Sequence, residues 1–210
     1  NRQEYYASIT HMDAQIGRIL DALDASGKAD KTWIIFSSDH GLSVGHHGLV
    51  GKQNMYEDAM CAPFIISGPG VKAGQELDVP IYIQDAMATA LDIAGEVPGN
   101  VDYKSVLPLL DGSVEKTHDS IYGAYMDTQR MIMKDGWKVI AYPQLKKVKL
   151  FNIEKDPLEM NDLSQNPEYA NRLQALTQLL EATMDAMDDP MTSLTKADFP
   201  KAHKQTKNGH

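Results

Sequence analysis

Cysteine is nearly absent from this sequence, in which Cys61 is the only one among 210 residues. A disulfide framework within the chain is therefore excluded, because each bridge needs two thiols. The sequence also lacks any long uncharged stretch, and its longest apolar runs are only as long as a strand. No membrane-spanning helix is expected from such runs. These absences leave the cellular compartment open.

Positive charge is also scarce, since 20 Lys and Arg residues stand against 29 Asp and Glu residues, for a net charge of -9. Nucleic-acid backbones require a cationic surface, so no nucleic-acid partner is expected. The acidic residues are spread along the chain, which is typical of a solubilising surface. An anionic ligand would therefore need a local source of positive charge, either a metal ion or a few placed side chains.

The first half of the chain has the pattern of an α/β fold. Apolar residues recur at helical spacing over residues 4–25, and Gly27 is a natural left-handed end for that helix. The continuous apolar run at 33–36 predicts a strand buried on both faces, as in a parallel sheet covered by helices. A second apolar strand at 64–67 stops at a Gly-Pro-Gly turn, and helical spacing returns over 83–94.

After His118 the hydrophobic pattern of the chain changes. Short alternating segments separated by turn residues predict an antiparallel meander, at residues 121–126, 131–134, 137–142 and 148–152. An amphipathic helix is predicted to follow Asn166-Pro167 and to pack on this sheet. The expected domains are an α/β part at 1–112, a sheet-plus-helix subdomain at 113–190 and a polar tail at 191–210.

Asp39 and His40 directly follow the first predicted strand, at the end where open α/β sheets place their ligands. Their side chains would diverge inside a strand, but at its end the backbone turns, so both can converge on one divalent ion. Lys52 lies further along the same glycine-rich loop, where a compact cation would neutralise a bound oxyanion. The competing interpretation is that Asp39 caps a turn while His40 and Lys52 are simply solvated.

These residues belong to an ordered series of motifs. The series is Ser-Asp-His-Gly at 38–41, Gly-x-His-Gly at 45–48, Gly-Lys-x-x-x-Tyr-Glu at 51–57, Ala-Pro-Phe-Ile-Ile at 62–66 and Gly-Pro-Gly at 68–70, followed by segments 105–112 and 149–163 with Lys-Asp-Pro-x-Glu at 155–159. From residue 5 to 187 the chain resembles the C-terminal portion of a type I sulfatase, an arylsulfatase-like member of the alkaline phosphatase superfamily. The resemblance implies part of an alkaline-phosphatase-like α/β sandwich, with a C-terminal antiparallel sheet and one packed helix.

The resemblance also implies roles for individual residues. Asp39 and His40 match two ligands of a single Ca²⁺ or other divalent ion, and Lys52 matches the lysine that contacts the substrate sulfate. His47 matches a polar residue near the substrate pocket, and Arg130 is a further candidate for the pocket mouth. The implied reaction is hydrolysis of a sulfate ester, with sulfated carbohydrates as one substrate class. Family members are often periplasmic or secreted, and the sequence itself leaves localisation unknown.

The family's nucleophile has no counterpart in this chain. Family members carry Cys-x-Pro-x-Arg near their N-terminus, and its Cys becomes the formylglycine that attacks the ester. Cys61 imitates that motif, but Ile65 replaces the arginine and the motif follows Lys52 instead of preceding it. Cys61 is therefore expected to be a packed thiol. The chain opens in a helical pattern without Met, so we expect a missing N-terminal half to supply formylglycine and further ligands, and the chain alone to be inactive.

Two other functions stay open at this point. A two-metal phosphohydrolase or mutase of the same superfamily would need another metal-binding histidine, for which His118 is the candidate before the tail. The Gly-Lys and Tyr-Glu pairs at 51–57 favour the sulfatase over this alternative. A non-catalytic interaction domain, the third hypothesis, would melt cooperatively on its own.

Overall fold

The structure, a computed structural model, describes residues 2–96 and 98–191. Its helices are α1 (Arg2–Ala25), α2 (Glu57–Met60), α3 (Asp85–Ile93), α4 (Leu107–Leu110) and α5 (Ala170–Ala186). Its strands are β1 (Ile34–Ser37), β2 (Ser43–Val44), β3 (Val50–Gly51), β4 (Phe64–Ser67), β5 (Ile121–Tyr125), β6 (Gln129–Lys134), β7 (Trp137–Tyr142) and β8 (Lys147–Asn152). Within these residues, no helix combines the length and apolar character needed to cross a membrane. The predicted polar tail, from residue 192 onward, lies outside the described residues.

The chain divides into two compact units. Unit 1 comprises Asn1–Asp39, Pro63–Asp78 and Ile83–Glu115, and unit 2 comprises His40–Ala62, Val79–Tyr82 and Lys116–His210. The loop after β1 therefore belongs with the C-terminal sheet and not with the strand that precedes it. Both compact units are discontinuous along the chain, and the domain boundary expected at 112/113 stays a prediction.

Helix α1 of unit 1 confirms the predicted first helix. It ends where expected, since Gly27 adopts a left-handed φ of 68° and its N–H donates to the Asp24 carbonyl oxygen at 3.0 Å. None of its residues is buried, and apolar side chains such as Tyr6 and Ile19 are 54% and 68% exposed. The apolar stripe that suggested packing is thus not covered by the described residues of unit 1.

The prediction of a parallel, fully buried strand at 33–36 was wrong. Strand β1 pairs antiparallel with β4, with Ile35 opposite Ile66, and its residues are only half-buried. The physical reason is the connection between the strands, which contains a small hairpin and the single-turn helix α2 but no long crossover helix. A parallel pair requires such a crossover, whereas an antiparallel return does not.

Helix α3 confirms the helix predicted at 83–94, and buried polar groups connect it to the following loop within unit 1. The fully buried Asp85 carboxylate accepts a hydrogen bond from the Lys104 backbone N–H at 2.9 Å. Thr89 donates to the Asp85 carbonyl oxygen and accepts from the Val106 N–H at 3.0 Å. The last of these bonds helps to fix the start of α4, because it satisfies the N–H of the buried Val106, which would otherwise lack a partner.

The C-terminal meander predicted from the sequence is confirmed as a four-stranded sheet in the order β5-β6-β7-β8. Every neighbouring pair is antiparallel, with Met131 opposite Ile140 and Ile140 opposite Lys149. Strand β6 begins at Gln129, two residues before the predicted start at 131. Adjacent strands with short connections of this kind are the expected product of the alternating pattern.

Both faces of this sheet are covered within unit 2, because successive side chains of a strand point to opposite sides. One face packs on α5, and its buried residues are Ile132, Val139, Ala141, Val148, Leu150, Leu173, Leu176, Leu180, Met184 and Met191. The opposite face packs on the segment before α2, and its buried residues are Met55, Tyr56, Ile121, Met131, Ile140 and Phe151. The sheet is therefore sandwiched between the C-terminal helix and the loop that carries Lys52.

Candidate functional site

Lys52 and His40 lie in direct contact in unit 2. The Lys52 Nζ donates a hydrogen bond to His40 Nε2 at 2.5 Å. The other ring nitrogen, Nδ1, is 2.7 Å from the Gly41 carbonyl oxygen. A carbonyl only accepts, so Nδ1 must carry the hydrogen and Nε2 must present its lone pair. The backbone thus fixes the tautomer in which Nε2 is ready for a cation, whether an ammonium or a metal ion.

A small hairpin brings Lys52 back to His40. Strands β2 and β3 pair antiparallel, with Ser43 opposite Gly51, so the residue after β3 returns to the start of the loop. The buried Asn54 reinforces this return by donating to the Ser43 Oγ at 3.0 Å. Gly51 adopts a φ of 119°, a conformation that glycine tolerates far better than other residues.

Gly41 allows the chain to pass close to α2 immediately after the histidine. Its N–H donates to the Ala59 carbonyl oxygen at 2.8 Å. A Cβ at this position would collide with the backbone carbonyl of Asp58, which a side-chain movement cannot relieve. Glycine is therefore required here for close approach, and the His40 backbone is held against α2 as a consequence.

His47 is held in a strained conformation beside Tyr56. Its φ is 55°, and its ring stacks on that of Tyr56 with centroids 3.8 Å apart and planes 10° from parallel. Tyr56 is itself buried, and its hydroxyl accepts a hydrogen bond from the Lys149 Nζ at 2.8 Å. A non-glycine residue in the left-handed region is kept there only by its surroundings, and the stacked Tyr56 ring is one such constraint.

Asp39 is the last residue of unit 1, and it is exposed. His40 begins unit 2, so the convergence of the two side chains on one ion remains a prediction. Their donor atoms suit a divalent cation, since a carboxylate oxygen and an imidazole nitrogen with a fixed tautomer are both metal ligands. In residues 2–96 and 98–191, no group of three or more His, Cys, Asp or Glu side chains is arranged to hold a metal. Asp39 and His40 can therefore supply only part of a coordination sphere.

Other sequence candidates are engaged elsewhere. The His46 Nδ1 lies 2.9 Å from the Asp58 Oδ2. Among the described residues, no third side chain is placed to complete a metal site with this pair. The ring of His118 packs edge-on against Tyr82, with centroids 4.8 Å apart. Neither arrangement supplies the second metal site that the phosphohydrolase alternative would need.

Cys61 is exposed, so the prediction of a packed thiol was wrong. The short helix α2 ends directly before it, which leaves the residue at the unit surface. Desolvation of the sulfur and the negative charge of Glu57 raise the pKa of the Cys61 thiol, although Lys138 acts in the opposite direction. A thiol with a raised pKa is a poor nucleophile at neutral pH, which agrees with a non-catalytic cysteine.

Arg130 does not belong to the mouth of a site. It is 3% exposed, and its guanidinium forms two hydrogen bonds to the Asp189 carboxylate, at 2.7 Å from Nε and 3.0 Å from Nη2. The hydroxyl of Tyr122 donates to the same carboxylate. This buried ion pair ties strand β6 to the segment that follows α5, so Arg130 acts as a structural residue.

Sequence reasoning missed a buried ionic cluster behind the loop. Lys138 is completely buried on β7 and contacts two carboxylates, those of Glu57 and Glu159. The sequence does place Lys138 between Trp137 and Val139, in a strand that its apolar residues predict to be buried. Since a lysine is almost never fully buried unless it is paired, this position could have indicated a buried ion pair.

Comparison with known proteins identifies the family to which these motifs belong. The family model described as Sulfatase matches residues 1–96, a stretch that contains Asp39, His40, His47 and Lys52. An arylsulfatase of Clostridium perfringens is 33% identical over 200 residues, which is 91% of this chain. The chain belongs to the type I sulfatase family of the alkaline phosphatase superfamily.

Solved structures also resemble this chain in fold. A protein whose structure was solved in complex with its substrate D-glucosamine-2-N,6-O-disulfate is 31% identical, has a TM-score of 0.79 and covers 87% of this chain. A phosphonate monoester hydrolase of Agrobacterium radiobacter is 26% identical, with a TM-score of 0.72 over 88% of the chain. The predicted alkaline-phosphatase-like fold with a C-terminal antiparallel sheet and helix is thereby confirmed.

This chain spans about two fifths of the length of the relatives it matches, namely 42% of the arylsulfatase, 40% of the protein in complex with glucosamine disulfate and 41% of the phosphonate monoester hydrolase. The activity of a whole sulfatase is therefore a proposal for this chain and not a property read from it.

Proposed function

We propose that this chain forms part of a sulfuric ester hydrolase, in which Asp39 and His40 bind a divalent metal ion and Lys52 binds the substrate sulfate. The observation that carries the proposal is the contact between the Lys52 ammonium and the His40 Nε2 at 2.5 Å. This contact places an ammonium beside an imidazole nitrogen whose lone pair could ligate a metal ion, both on one loop. In a chain of net charge -9, an anionic ester requires this kind of local positive charge.

Each side chain has a defined task in this proposal. The Asp39 carboxylate and the His40 Nε2 lone pair would hold the cation, which we take to be Ca²⁺ as in the family that the chain resembles. Because Nε2 has a single lone pair, the Lys52 ammonium would leave His40 when the ion binds and would turn to the sulfate. Bound there, the ion would act as a Lewis acid on an oxygen of the reacting group. Lys52 offsets negative charge on the sulfate oxygens, both as the ester binds and as charge builds toward the leaving oxygen. The Gly41 carbonyl keeps His40 in the required tautomer.

His47 is proposed to line the substrate side of the loop. Its stacking on the buried Tyr56 fixes the plane of the imidazole ring. A ring fixed in this way can present a nitrogen to a substrate hydroxyl without losing rotamer freedom on binding.

The nucleophile and the remaining metal ligands are proposed to come from a segment outside this chain, as formylglycine and further aspartates. We propose a sulfated carbohydrate as the substrate class. Support comes from the structural neighbour at TM-score 0.79, which was solved with a glucosamine disulfate as its substrate.

The test is turnover of a sulfate ester by the polypeptide that contains both this chain and the nucleophile segment. Lys52→Ala is expected to lower kcat/KM by about a hundredfold or more, the usual loss when one charge-stabilising donor is removed. Lys147→Ala is the matched control, because it removes an exposed lysine of the same unit that lies on β8. Unchanged kcat/KM in Lys52→Ala would refute the role of Lys52.

Phosphonate monoester hydrolysis is the second candidate, favoured by the Agrobacterium radiobacter structure at TM-score 0.72. Paired aryl sulfate and aryl phosphonate monoesters with the same leaving group separate the two. A higher kcat/KM on the sulfate supports the first proposal, and a higher kcat/KM on the phosphonate supports the second.

A further inference from the structure

A buried ionic cluster lies beneath the start of α2, a short distance along the chain from Lys52. The Nζ of the fully buried Lys138 is 2.7 Å from the Glu57 Oε1 and 2.9 Å from the Glu159 Oε1. The Lys138–Glu159 contact is short enough for an ion pair, but its angles do not satisfy those of a hydrogen bond. The Glu159 Oε2 accepts a hydrogen bond from the Glu57 backbone N–H at 2.6 Å. Glu57 is therefore held through its side chain and its main chain.

Burying these three charged groups costs desolvation free energy, which suggests that the cluster does something other than stabilise the fold. Two carboxylates share one ammonium, and Lys138 and Glu159 have 0% and 1% of their side chains exposed. Burial raises the pKa of Glu159, and the charge of Lys138 opposes this shift. Buried ion pairs seldom stabilise a fold more than apolar residues would, but they fix register well because a misplaced partner leaves a buried charge unpaired.

The neighbouring residues of the loop are attached to the same sheet. The Gln129 Nε2 on β6 donates to the Gln53 carbonyl oxygen at 3.3 Å. Met55 and Tyr56 are buried in the core on one face of this sheet, where Tyr56 packs edge-on against Phe151 of β8. Contacts to the sheet therefore occur repeatedly along residues 53–57, whereas Lys52 just before them is exposed.

We infer that Glu57, Lys138 and Glu159 are positioning residues that hold the segment 53–57 on the C-terminal sheet and thereby place the Lys52 ammonium at His40. This inference rests on the proposed function, in which Lys52 binds the ester. It also assigns a task to the Lys-Asp-Pro-x-Glu motif. Glu159 has a φ of 54° and its N–H donates to the Asp156 carbonyl oxygen at 2.9 Å, so the motif is a turn that directs the Glu159 carboxylate inward.

Glu159→Ala in the polypeptide with the nucleophile segment is the principal variant. It is expected to lower kcat/KM per folded molecule by about ten- to a hundredfold, since a misplacement of about 1 Å can cost that much. Glu159→Gln is expected to lie between this variant and the parent, because the amide oxygen still accepts from the Glu57 N–H. Asp189→Asn is the matched control: it removes another buried carboxylate of unit 2, on the other side of β6 from the Gln129 contact, and is expected to leave kcat/KM unchanged.

Two readouts separate positioning from a general loss of folding. In a Lys52→Ala background, Glu159→Ala should cost little further activity, because the group it positions is already gone. Amide exchange of peptides covering 52–60 should be faster in Glu159→Ala, and in Glu159→Gln to a smaller degree, but unchanged in Asp189→Asn. This second readout needs no turnover.

Equal cost of Glu159→Ala in both backgrounds, or unchanged exchange of 52–60, would overturn the inference. If Lys52→Ala leaves turnover intact, it is the proposed function that fails, and the exchange measurement then decides alone whether the cluster holds the segment. If Glu159→Ala does not fold, the shape-preserving Glu159→Gln carries both readouts.

Discussion

At the scale of single residues, hydrogen bonding decides which chemistry each side chain can perform. A carbonyl at Nδ1 leaves the His40 Nε2 with one lone pair, which can accept from Lys52 or ligate a metal ion, but not both at once. Arg130, by contrast, uses its guanidinium on Asp189 and on the backbone carbonyls of Met126 and Gln129. Lys52 and Arg130 are both candidate anion-binding cations in the sequence, but Lys52 is exposed beside a histidine and Arg130 is buried in an ion pair.

Asp189 provides a prediction about pH. Burial alone would raise the pKa of this carboxyl, but hydrogen bonds from Arg130, Tyr122 and the Met191 N–H lower it from 3.8 to about 2. A depressed pKa means that the stabilisation is present above the unfolded value and is lost as pH falls through the folded value. We expect Asp189→Asn to lower the free energy of unfolding by about 2 kcal/mol at pH 7.

The measurement is urea unfolding of parent and variant at pH 7, 4 and 2. The difference between them should be full at pH 7, start to shrink near pH 4 and be largely gone near pH 2. A difference that stays constant over this range would show that the charge of Asp189 is not what stabilises the fold.

At the scale of elements, the C-terminal sheet is the part in which local pattern and tertiary packing agree best. The alternation that predicted the strands also assigned them two faces, and both faces are buried, one against α5 and one against the segment before α2. In α5 an apolar stripe of Leu173, Leu176, Leu180 and Met184 is buried, whereas Met187, which continues the same spacing, is 60% exposed. The helix ends before Met187 can turn toward the sheet.

The two ends of this stripe should therefore respond differently to truncation. Leu180 is fully buried, so Leu180→Ala is expected to cost about 2–5 kcal/mol through lost apolar contacts and the cavity left behind. Met187→Ala should change stability by less than about 0.5 kcal/mol, because the side chain is already in solvent. Urea midpoints at constant slope measure both changes, and equal costs would contradict the assigned packing.

At the scale of the whole molecule, burial is uneven between the elements. Helix α1 spans 24 residues without a buried one, whereas β7 has four consecutive buried residues, Lys138 to Ala141. Local stability follows such differences, because a segment with few buried contacts opens without unfolding the rest. The two units can therefore be expected to differ in local stability even where each has regular secondary structure.

Amide hydrogen exchange should reveal this difference. Peptides from Arg2–Ala25 are expected to exchange markedly faster than peptides from Trp137–Tyr142, since no residue of the helix is buried whereas four consecutive residues of the strand are. Mass-spectrometric exchange of this chain at neutral pH makes the comparison. Similar protection of both segments would mean that α1 is covered by contacts that the described residues do not provide.

The sequence alone determined the positions of helices α1, α3 and α5 and of strands β1 and β4 to β8, and through its motif series it determined the family. Those properties depend on local periodicity, turn residues and short spacings, which can be read one segment at a time. The same reasoning gave Asp39, His40, His47 and Lys52 as candidates, and their roles stay predictions.

Only the tertiary structure decided the antiparallel pairing of β1 with β4, the surface position of Cys61 and the fate of Arg130. It also brought Glu57, Lys138 and Glu159 together. Lys138 lies 81 residues after Glu57 along the chain, and Glu159 lies 102 residues after it. Contacts of such separation leave no periodic trace in a single sequence. They depend on which sheet face each residue occupies and on which segment covers that face, and both are fixed only when the chain packs.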